Sequence, residues 1–381
     1  MYNYELFRLT LEDLQRLSAT MDTAEYYRTL GLWYIVTAPT DDYVAQADKW
    51  LRQAINLGDA EAKLHLANMY RFGDLGKVDI DEYRRLLDEA VAGGSQLAEM
   101  RRCRDIAYGV GQPENLDRGL EEARKRLAAQ EMPDPRWYDT LGWMLLAKEE
   151  TAAANEQFLK AIELGYIDSY IGLTDMPERQ EEGRRAGCGG SCILIAEKLE
   201  KKYDECSSND AHAVEYFSDD NEKRAYLDAN HRYRKELAAQ IESLYEEAER
   251  LGEPMAFHYH GILYYAAYLG HMEDDDMAWR LFMRGNQLGD MSCMGMLADM
   301  ITEGRAPEEY SHKDACLFRL KALRYGDDDQ LPEVMQAYIE GDLDEYADEI
   351  ETLYRPLYDA LEYETDDEDP EDDDGRFDAW A

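Results

Sequence analysis

The sequence predicts an all-α protein, a right-handed superhelical solenoid of about eight helix-turn-helix repeats. Three recurring marks predict this fold. A small residue inside the first helix of each pair recurs at steps of 36, 36, 39, 119 and 37 residues. A large residue follows three places later, and a glycine closes most of the second helices. A period of roughly 20 to 50 residues is typical of helix pairs stacked in an array.

The marks keep nearly the same register in every repeat. The small residues are Gly31, Ala67, Cys103, Gly142, Gly261 and Ala298. The large residues are Tyr34, Tyr70, Ile106, Leu145, Tyr264 and Ile301. The closing positions are Gly58, Gly94, Gln130, Gly165, Gly252, Gly289 and Gly326. A small residue lets two helices approach closely, and a glycine after the last turn adopts the left-handed conformation that ends a helix.

The second helices carry apolar residues at spacings of three and four, which places them on one stripe. Examples are Ala47, Leu51, Ala54 and Ile55 in the first repeat, and Ala154, Phe158 and Ile162 in the fourth. One helix pair cannot bury such a stripe alone, so neighbouring pairs must share their stability.

The pattern resembles the Sel-one-like repeat, a relative of the tetratricopeptide repeat. Two segments carry the resemblance most clearly: LANMYRFGD at residues 66–74 and AYGVGQPENLDRGLEEARK at residues 107–125. It covers roughly residues 23–175 and 231–350. The resemblance implies that the first helices line a concave face and that the protein serves as a docking surface.

The chain is divided accordingly into five segments. They are an N-terminal capping helix (1–22), a first block of repeats (23–175), a partly helical insertion (176–230), a second block of repeats (231–361) and a disordered acidic tail (362–381). Long insertions in repeat proteins usually project from one face. A block of like charge, as in the tail, repels itself and has nothing to bury.

The charge is extreme: 41 basic against 83 acidic residues give a formal net charge of −42. Binding to phosphates requires basic patches, so the composition argues against nucleic acid as a direct partner. A basic protein partner is favoured instead, because long-range attraction raises its association rate. We expect no membrane segment and a cytoplasmic location, because the sequence has neither a signal peptide nor a run of about 20 apolar residues.

No catalytic motif is recognised, so we predict a protein that is not an enzyme and needs no cofactor. One metal hypothesis stays open. Cys188, Cys192, Cys206 and His212 offer four sulfur or nitrogen donors of the kind that zinc prefers, although unrelated thiols in a loop give the same pattern. If this insertion held a metal, an enzymatic function would become a third interpretation. We predict no metal site.

Aromatic residues of the first helices are the candidates for a binding groove, because Tyr and Trp combine a large apolar area with a polar tip. We select Tyr27, Trp33, Tyr138 and Tyr265 as partner-binding residues. The predicted function is a non-enzymatic adaptor or scaffold that binds a partner protein, through a basic segment, in this groove. The alternative is an acidic inhibitor that imitates nucleic acid and occupies a DNA- or RNA-binding protein.

Overall fold

A computed structural model describes residue 6 and residues 9–37, 41–217 and 219–366 of the 381-residue chain. Within these residues every regular element is a helix. The chain opens with α1 (Leu11–Leu17), which begins at a capping box: the Thr10 hydroxyl accepts from the Asp13 N–H and the Asp13 carboxylate accepts from the Thr10 N–H. The predicted all-α class is therefore confirmed.

Seven antiparallel helix pairs follow within the described residues, together with a shorter terminal unit. The first four pairs are α2 (Thr23–Thr37) with α3 (Asp41–Asn56), α4 (Ala60–Arg71) with α5 (Ile80–Ala92), α6 (Gln96–Tyr108) with α7 (Leu116–Ala128), and α8 (Arg136–Ala147) with α9 (Thr151–Glu163). After a 3₁₀ turn (Ile167–Gly172) and α10 (Pro177–Ala186) come α11 (Gly189–Tyr216) with α12 (Asp220–Leu251), α13 (Pro254–Tyr265) with α14 (Asp275–Gln287), and α15 (Met291–Thr302) with α16 (His312–Tyr325).

The small residues Gly142 and Gly261 allow the two helices of their pairs to approach closely. A Cβ atom on Gly142 would lie 2.4 Å from the ring of Phe158, and one on Gly261 would lie 2.3 Å from the ring of Phe282. Both rings are fully buried. The fourth and the sixth pairs are thus each closed by an aromatic ring of the second helix that lies directly on the backbone of the first.

The fifth pair differs from the prediction. The division at residue 230 falls inside α12, which runs without interruption from Asp220 to Leu251. At the end of the predicted first block of repeats, Ile167–Gly172 form only a 3₁₀ turn. The segment predicted as an insertion instead contains α10, α11 and the first part of α12. The contact between α11 and α12 is the most extensive of any two helices, so tertiary packing extends both helices well beyond the length of a typical repeat.

The terminal unit comprises α17 (Leu331–Glu340), α18 (Ala347–Glu349), a π-helical turn (Ile350–Tyr354) and α19 (Arg355–Asp366). The predicted disordered tail (362–381) therefore begins within a helix, because residues 362–366 continue α19. Residues 367–381 lie outside the described part of the chain. None of the described helices combines the length and the apolar character that crossing a membrane requires.

The array closes on itself, a feature that the repeat pattern does not predict. Helix α2 packs against α14, and their buried side chains belong to one core cluster. The loop after α4 meets α16: the rings of Phe72 and Tyr325 stack with centroids 4.4 Å apart. The Tyr325 hydroxyl donates to Asp74, 251 positions earlier in the sequence, at 3.1 Å.

A buried ion pair completes this closure. The Arg324 Nη2 atom lies 2.7 Å from Glu349 Oε2, and the two side chains are 8% and 5% exposed. Glu349 also accepts from the Val78 N–H, at 3.3 Å, on the loop between α4 and α5. We call these residues (Phe72, Asp74, Val78, Arg324, Tyr325 and Glu349) the closing contact.

Candidate functional site

Neighbouring first helices contact one another, and ionisable residues on or just before these helices influence one another electrostatically. Four of these ionisable residues lie two or three places before the small residue of their helix. His65 and Arg101 hold the first of these positions, and Arg28 and Asp139 hold the second. We call the following set the inner row: Arg28, His65, Arg101, Arg136, Asp139, Asp168, Glu253 and Asp290.

The first half of the inner row is cationic. Arg28 bridges Asp59 and Glu61, with an N–O distance of 3.0 Å to each. Arg101 has no hydrogen-bond or ion-pair partner within the described residues, and burial together with the nearby charges of Arg71 and Arg104 lowers its pKa. Burial lowers the pKa of His65 to about 3, and the charges of Arg28, Arg101 and Arg136 add to the effect. The His65 imidazole is therefore neutral, and its Nδ1 atom has no hydrogen-bond partner among the described residues.

The second half of the inner row is acidic. Burial raises the pKa of Asp139 to about 6, although its carboxylate accepts a hydrogen bond from the Ser169 hydroxyl at 2.7 Å. Burial, and then the negative charges of Asp168 and Asp290, raise the pKa of Glu253 to about 7. Carboxylates with raised pKa values occur often at functional sites, although structural networks raise pKa values as well.

The raised pKa of Glu253 gives a testable pH dependence. The folded protein holds this proton more tightly than the unfolded chain, whose glutamate pKa is about 4.3. The protonated Glu253 therefore stabilises the folded state fully when the pH is below the unfolded glutamate pKa. This stabilisation is lost as the pH rises through about 7. We expect Glu253→Gln to stabilise the protein at pH 8 by on the order of 2 kcal/mol and to have little effect at pH 5.

Urea unfolding at both pH values measures this difference. Glu131→Gln, at an exposed position without an ion pair in the described part of the chain, is the control. Its effect should be the same at both pH values. If Glu253→Gln changed the free energy of unfolding equally at pH 5 and pH 8, the raised pKa would not be the cause.

A second feature adjoins the acidic half of the inner row. Three phenol hydroxyls donate to three carboxylates of α11, each at 2.8 Å: Tyr259 to Glu197, Tyr245 to Glu200, and Tyr268 to Asp204. Tyr259 lies two places before Gly261, as His65 and Arg101 lie two places before their small residues. The negative charge of Asp290 contributes to the raised pKa of Tyr259. We call these six residues the acidic tyrosine face.

The charges of the acidic tyrosine face are not neutralised from within. Glu197, Glu200 and Asp204 have no Lys, Arg or His partner among the residues that the structure describes. Burial, and then the charges of Asp204 and Glu197, raise the pKa of Glu200. The phenols stay protonated, because burial and the neighbouring carboxylates raise the pKa of Tyr259 as well. The face therefore presents negative charge beside the half-buried rings of Tyr259 and Tyr268, while the Tyr245 ring is fully buried.

The four residues selected from the sequence lie elsewhere. Tyr27 is half-buried, with its ring centroid 5.2 Å from that of Trp50. Tyr265 is also half-buried; its hydroxyl donates to Glu303 at 2.8 Å, and the Arg305 guanidinium lies 4.1 Å from its ring centroid. The structure does not bring these residues together into one groove.

The other two are core residues and do not fit the groove assignment. Trp33 is 7% exposed, and its indole N–H donates to the Leu9 carbonyl at 2.8 Å. Tyr138 is 9% exposed and lies at the wall of a cleft of about 350 Å³, with the Lys160 amine 4.4 Å from its ring centroid. Each is buried because the helix face that carries it packs against neighbouring elements of the array.

The residues of the acidic tyrosine face were not selected from the sequence. Tyr259 is one of the aromatic residues in the first helices, and its distance from Gly261 is the signal that could have identified it. Glu197, Glu200 and Asp204 have spacings of three and four, which place them on one helix face. The spacing does not indicate that three tyrosine hydroxyls from α12, α13 and the turn after α13 lie against this face.

The four donors of the zinc hypothesis do not converge. Cys192 and Cys206 both lie on α11, fourteen residues apart, which separates them by about 21 Å along the helix axis. Cys188 and Cys192 are buried, and both thiols are free. The side chain of His212 lies outside the described residues. A single ion therefore cannot bind this set, because two of its members are too far apart.

No protein-family model matches the sequence, and no curated protein matches it either. Among solved structures, the chain is similar to a Sel1 repeat protein from Oxalobacter formigenes, with 17% identity, a TM-score of 0.37, and coverage of 86% of this chain and 89% of that one. It is also similar to a protective antigen of uropathogenic Escherichia coli that displays an SLR fold, with 18% identity, a TM-score of 0.35, and coverage of 88% and 76%.

A third similar structure is that of the yeast protein Tom70, with 15% identity, a TM-score of 0.48, and coverage of 91% of this chain and 68% of that one. These likenesses concern the fold alone. All three TM-scores are below 0.5, so these likenesses carry no argument about what this protein binds.

Proposed function

We propose that this protein is a non-catalytic scaffold that binds a basic segment of a partner protein on the acidic tyrosine face. One observation carries the proposal: Glu197, Glu200 and Asp204 line one face of α11 and have no basic partner in the described part of the chain. Glu197 and Glu200 are half-buried and Asp204 is exposed. Like charges held this close repel one another, and an incoming Lys or Arg side chain relieves that repulsion.

The tyrosines supply the second element of recognition. Tyr259 and Tyr268 are half-buried, and their hydroxyls hold the carboxylates in place. A cation over a tyrosine ring gains about 0.5 to 2 kcal/mol, depending on its desolvation. The chain already contains this contact, since the Arg234 guanidinium lies 4.8 Å from the ring centroid of Tyr203 beside the same face. A basic segment would make further contacts of this kind.

The test uses fluorescent peptides of equal length, one rich in Lys and Arg, one rich in Glu and one neutral. We expect the basic peptide to bind best. The triple variant Glu197→Gln/Glu200→Gln/Asp204→Asn should lower its affinity at least about tenfold, mostly through a slower association rate at low salt. Stopped-flow measurements at two salt concentrations separate the association rate from the dissociation rate.

A matched control removes the same charge elsewhere. Glu114, Glu121 and Glu131 are exposed in or beside the third repeat, and their replacement by Gln changes the net charge by the same amount. This control should keep most of the affinity. Equal losses in both triple variants would contradict a local site. They would favour the alternative, in which the whole acidic surface imitates nucleic acid for a DNA- or RNA-binding protein.

A further inference from the structure

Two groups of three potential metal ligands occur among the residues that the structure describes. One comprises His258, Asp290 and Cys293, and the other comprises His312, Cys316 and Asp342. In each group the ligand atoms lie within 4.8 Å of one another. Both groups combine a nitrogen, an oxygen and a sulfur donor, which is the donor chemistry of zinc rather than of calcium or magnesium.

The second group has the separations that a tetrahedral ion requires. His312 Nε2 lies 3.7 Å from Cys316 Sγ and 3.4 Å from Asp342 Oδ2. Zinc binds nitrogen and oxygen at about 2.0–2.2 Å and sulfur at about 2.3 Å, so tetrahedral angles place the donors about 3.3 to 3.6 Å apart. These two distances are close to this requirement, and the third, from Cys316 Sγ to the Asp342 carboxylate, is within 4.8 Å.

Local structure holds these three donors in place. His312 and Cys316 lie four residues apart on the first turn and a half of α16, so they share one face of the helix. The start of that helix is fixed by the capping box of Ser311 and Asp314. Asp342 follows Gly341, whose φ of +92° ends α17 and turns the chain towards α16.

We propose that His312, Cys316 and Asp342 bind a divalent ion of the zinc class, with the fourth position open to solvent. The His312 side chain is 65% exposed, so an ion reaches the site from the His312 side, while Cys316 is 3% exposed. Glu340 and Asp342 add negative charge around the thiol, which favours a bound cation. Cys316 gives up its thiol proton to solvent on binding, as metal ligation by cysteine requires. The bound ion would link the start of α16 to the end of α17.

The first group is less suited to an ion. Asp290 already accepts the Cys293 N–H at 2.8 Å as the N-cap of α15, and Cys293 is fully buried. An ion there would have to compete with the helix cap and reach a thiol that has no exposed surface. His258 therefore serves as the internal control for the proposed site.

The test uses the full-length reduced protein, freed of metal by a chelator and titrated with Co²⁺. We expect one equivalent to bind, with a thiolate-to-cobalt charge-transfer band and the visible bands of a tetrahedral ion, and we expect Zn²⁺ to displace it. Cys316→Ser should abolish the charge-transfer band. His312→Gln and Asp342→Asn should lower the affinity about 100-fold or more, since even outer-shell changes cost about 10- to 100-fold.

His258→Gln and Cys206→Ser are the controls, and neither should change the spectrum. His312→Gln alters an exposed side chain, so its folding is not at risk, and circular dichroism confirms this for every variant. The proposal would be overturned if the wild-type protein showed no charge-transfer band, if that band persisted in Cys316→Ser, or if either control variant lost it. The outcome is independent of whether a basic segment binds the acidic tyrosine face.

Discussion

Replacement of Glu349 by alanine is expected to destabilise the protein by about 3 to 5 kcal/mol, because it leaves the Arg324 guanidinium buried without its partner. The two side chains are 8% and 5% exposed and lie 2.7 Å apart. Glu349 also accepts from the Val78 N–H, so the variant loses a bond between the second repeat and the terminal unit as well. Urea unfolding measures the loss of stability, and small-angle X-ray scattering should show a larger radius of gyration as the closing contact opens.

A neighbouring ion pair provides the control. Lys313 and Glu345 lie 2.8 Å apart, but their side chains are 55% and 54% exposed. Glu345→Ala should cost no more than about 0.5 kcal/mol, because exposed pairs are solvated whether or not they are joined. The double variant Arg324→Met/Glu349→Leu should regain most of the stability, since it leaves no buried charge. Equal losses for Glu349→Ala and Glu345→Ala would contradict the importance of burial.

Phe158→Ala should have an effect of similar size, about 3 to 5 kcal/mol. The ring is fully buried between Gly142 and Gly172, and a Cβ atom on either glycine would lie 2.4 Å from it. Neither glycine has a side chain that could fill the space left by the ring, so the cavity stays open. Chemical denaturation provides the measurement.

Tyr216→Ala removes a ring of similar size from a position that is 86% exposed. Its effect should stay within about 0.5 kcal/mol. A loss for Phe158→Ala as small as that for Tyr216→Ala would show that the fourth pair does not depend on its aromatic closure.

The sequence predicts the helix pairs well because their marks are local. An aromatic ring lies on Gly142 and another on Gly261, so only a small residue fits at each position. The repeated spacing of small residues along the sequence indicates these positions. The long hairpin of α11 and α12 was missed because SSND at residues 207–210 resembles a turn. In the structure these residues are helical, and the extensive packing between the two helices outweighs their weak helix propensity.

The candidate site was harder to predict for a related reason. Tyr259 is recognisable by its distance from Gly261, but its partner Glu197 lies 62 residues away, on a helix that the sequence pattern divides into loop and helix. Trp33 and Tyr138 have the composition of a binding surface, yet their orientation depends on contacts with other elements. Spacing along one helix indicates which face a residue occupies, and it does not indicate what covers that face.

The closing contact also changes how this chain should fold. An open array of repeats loses its terminal units first, because each unit contacts only its neighbours. Here the second and seventh pairs meet through residues that are 251 positions apart, so neither region is a free end. Such distant contacts form only after most of the chain is ordered, which slows folding and couples the outer units to one another. Unfolding should accordingly approach a single cooperative transition rather than progressive fraying from the termini.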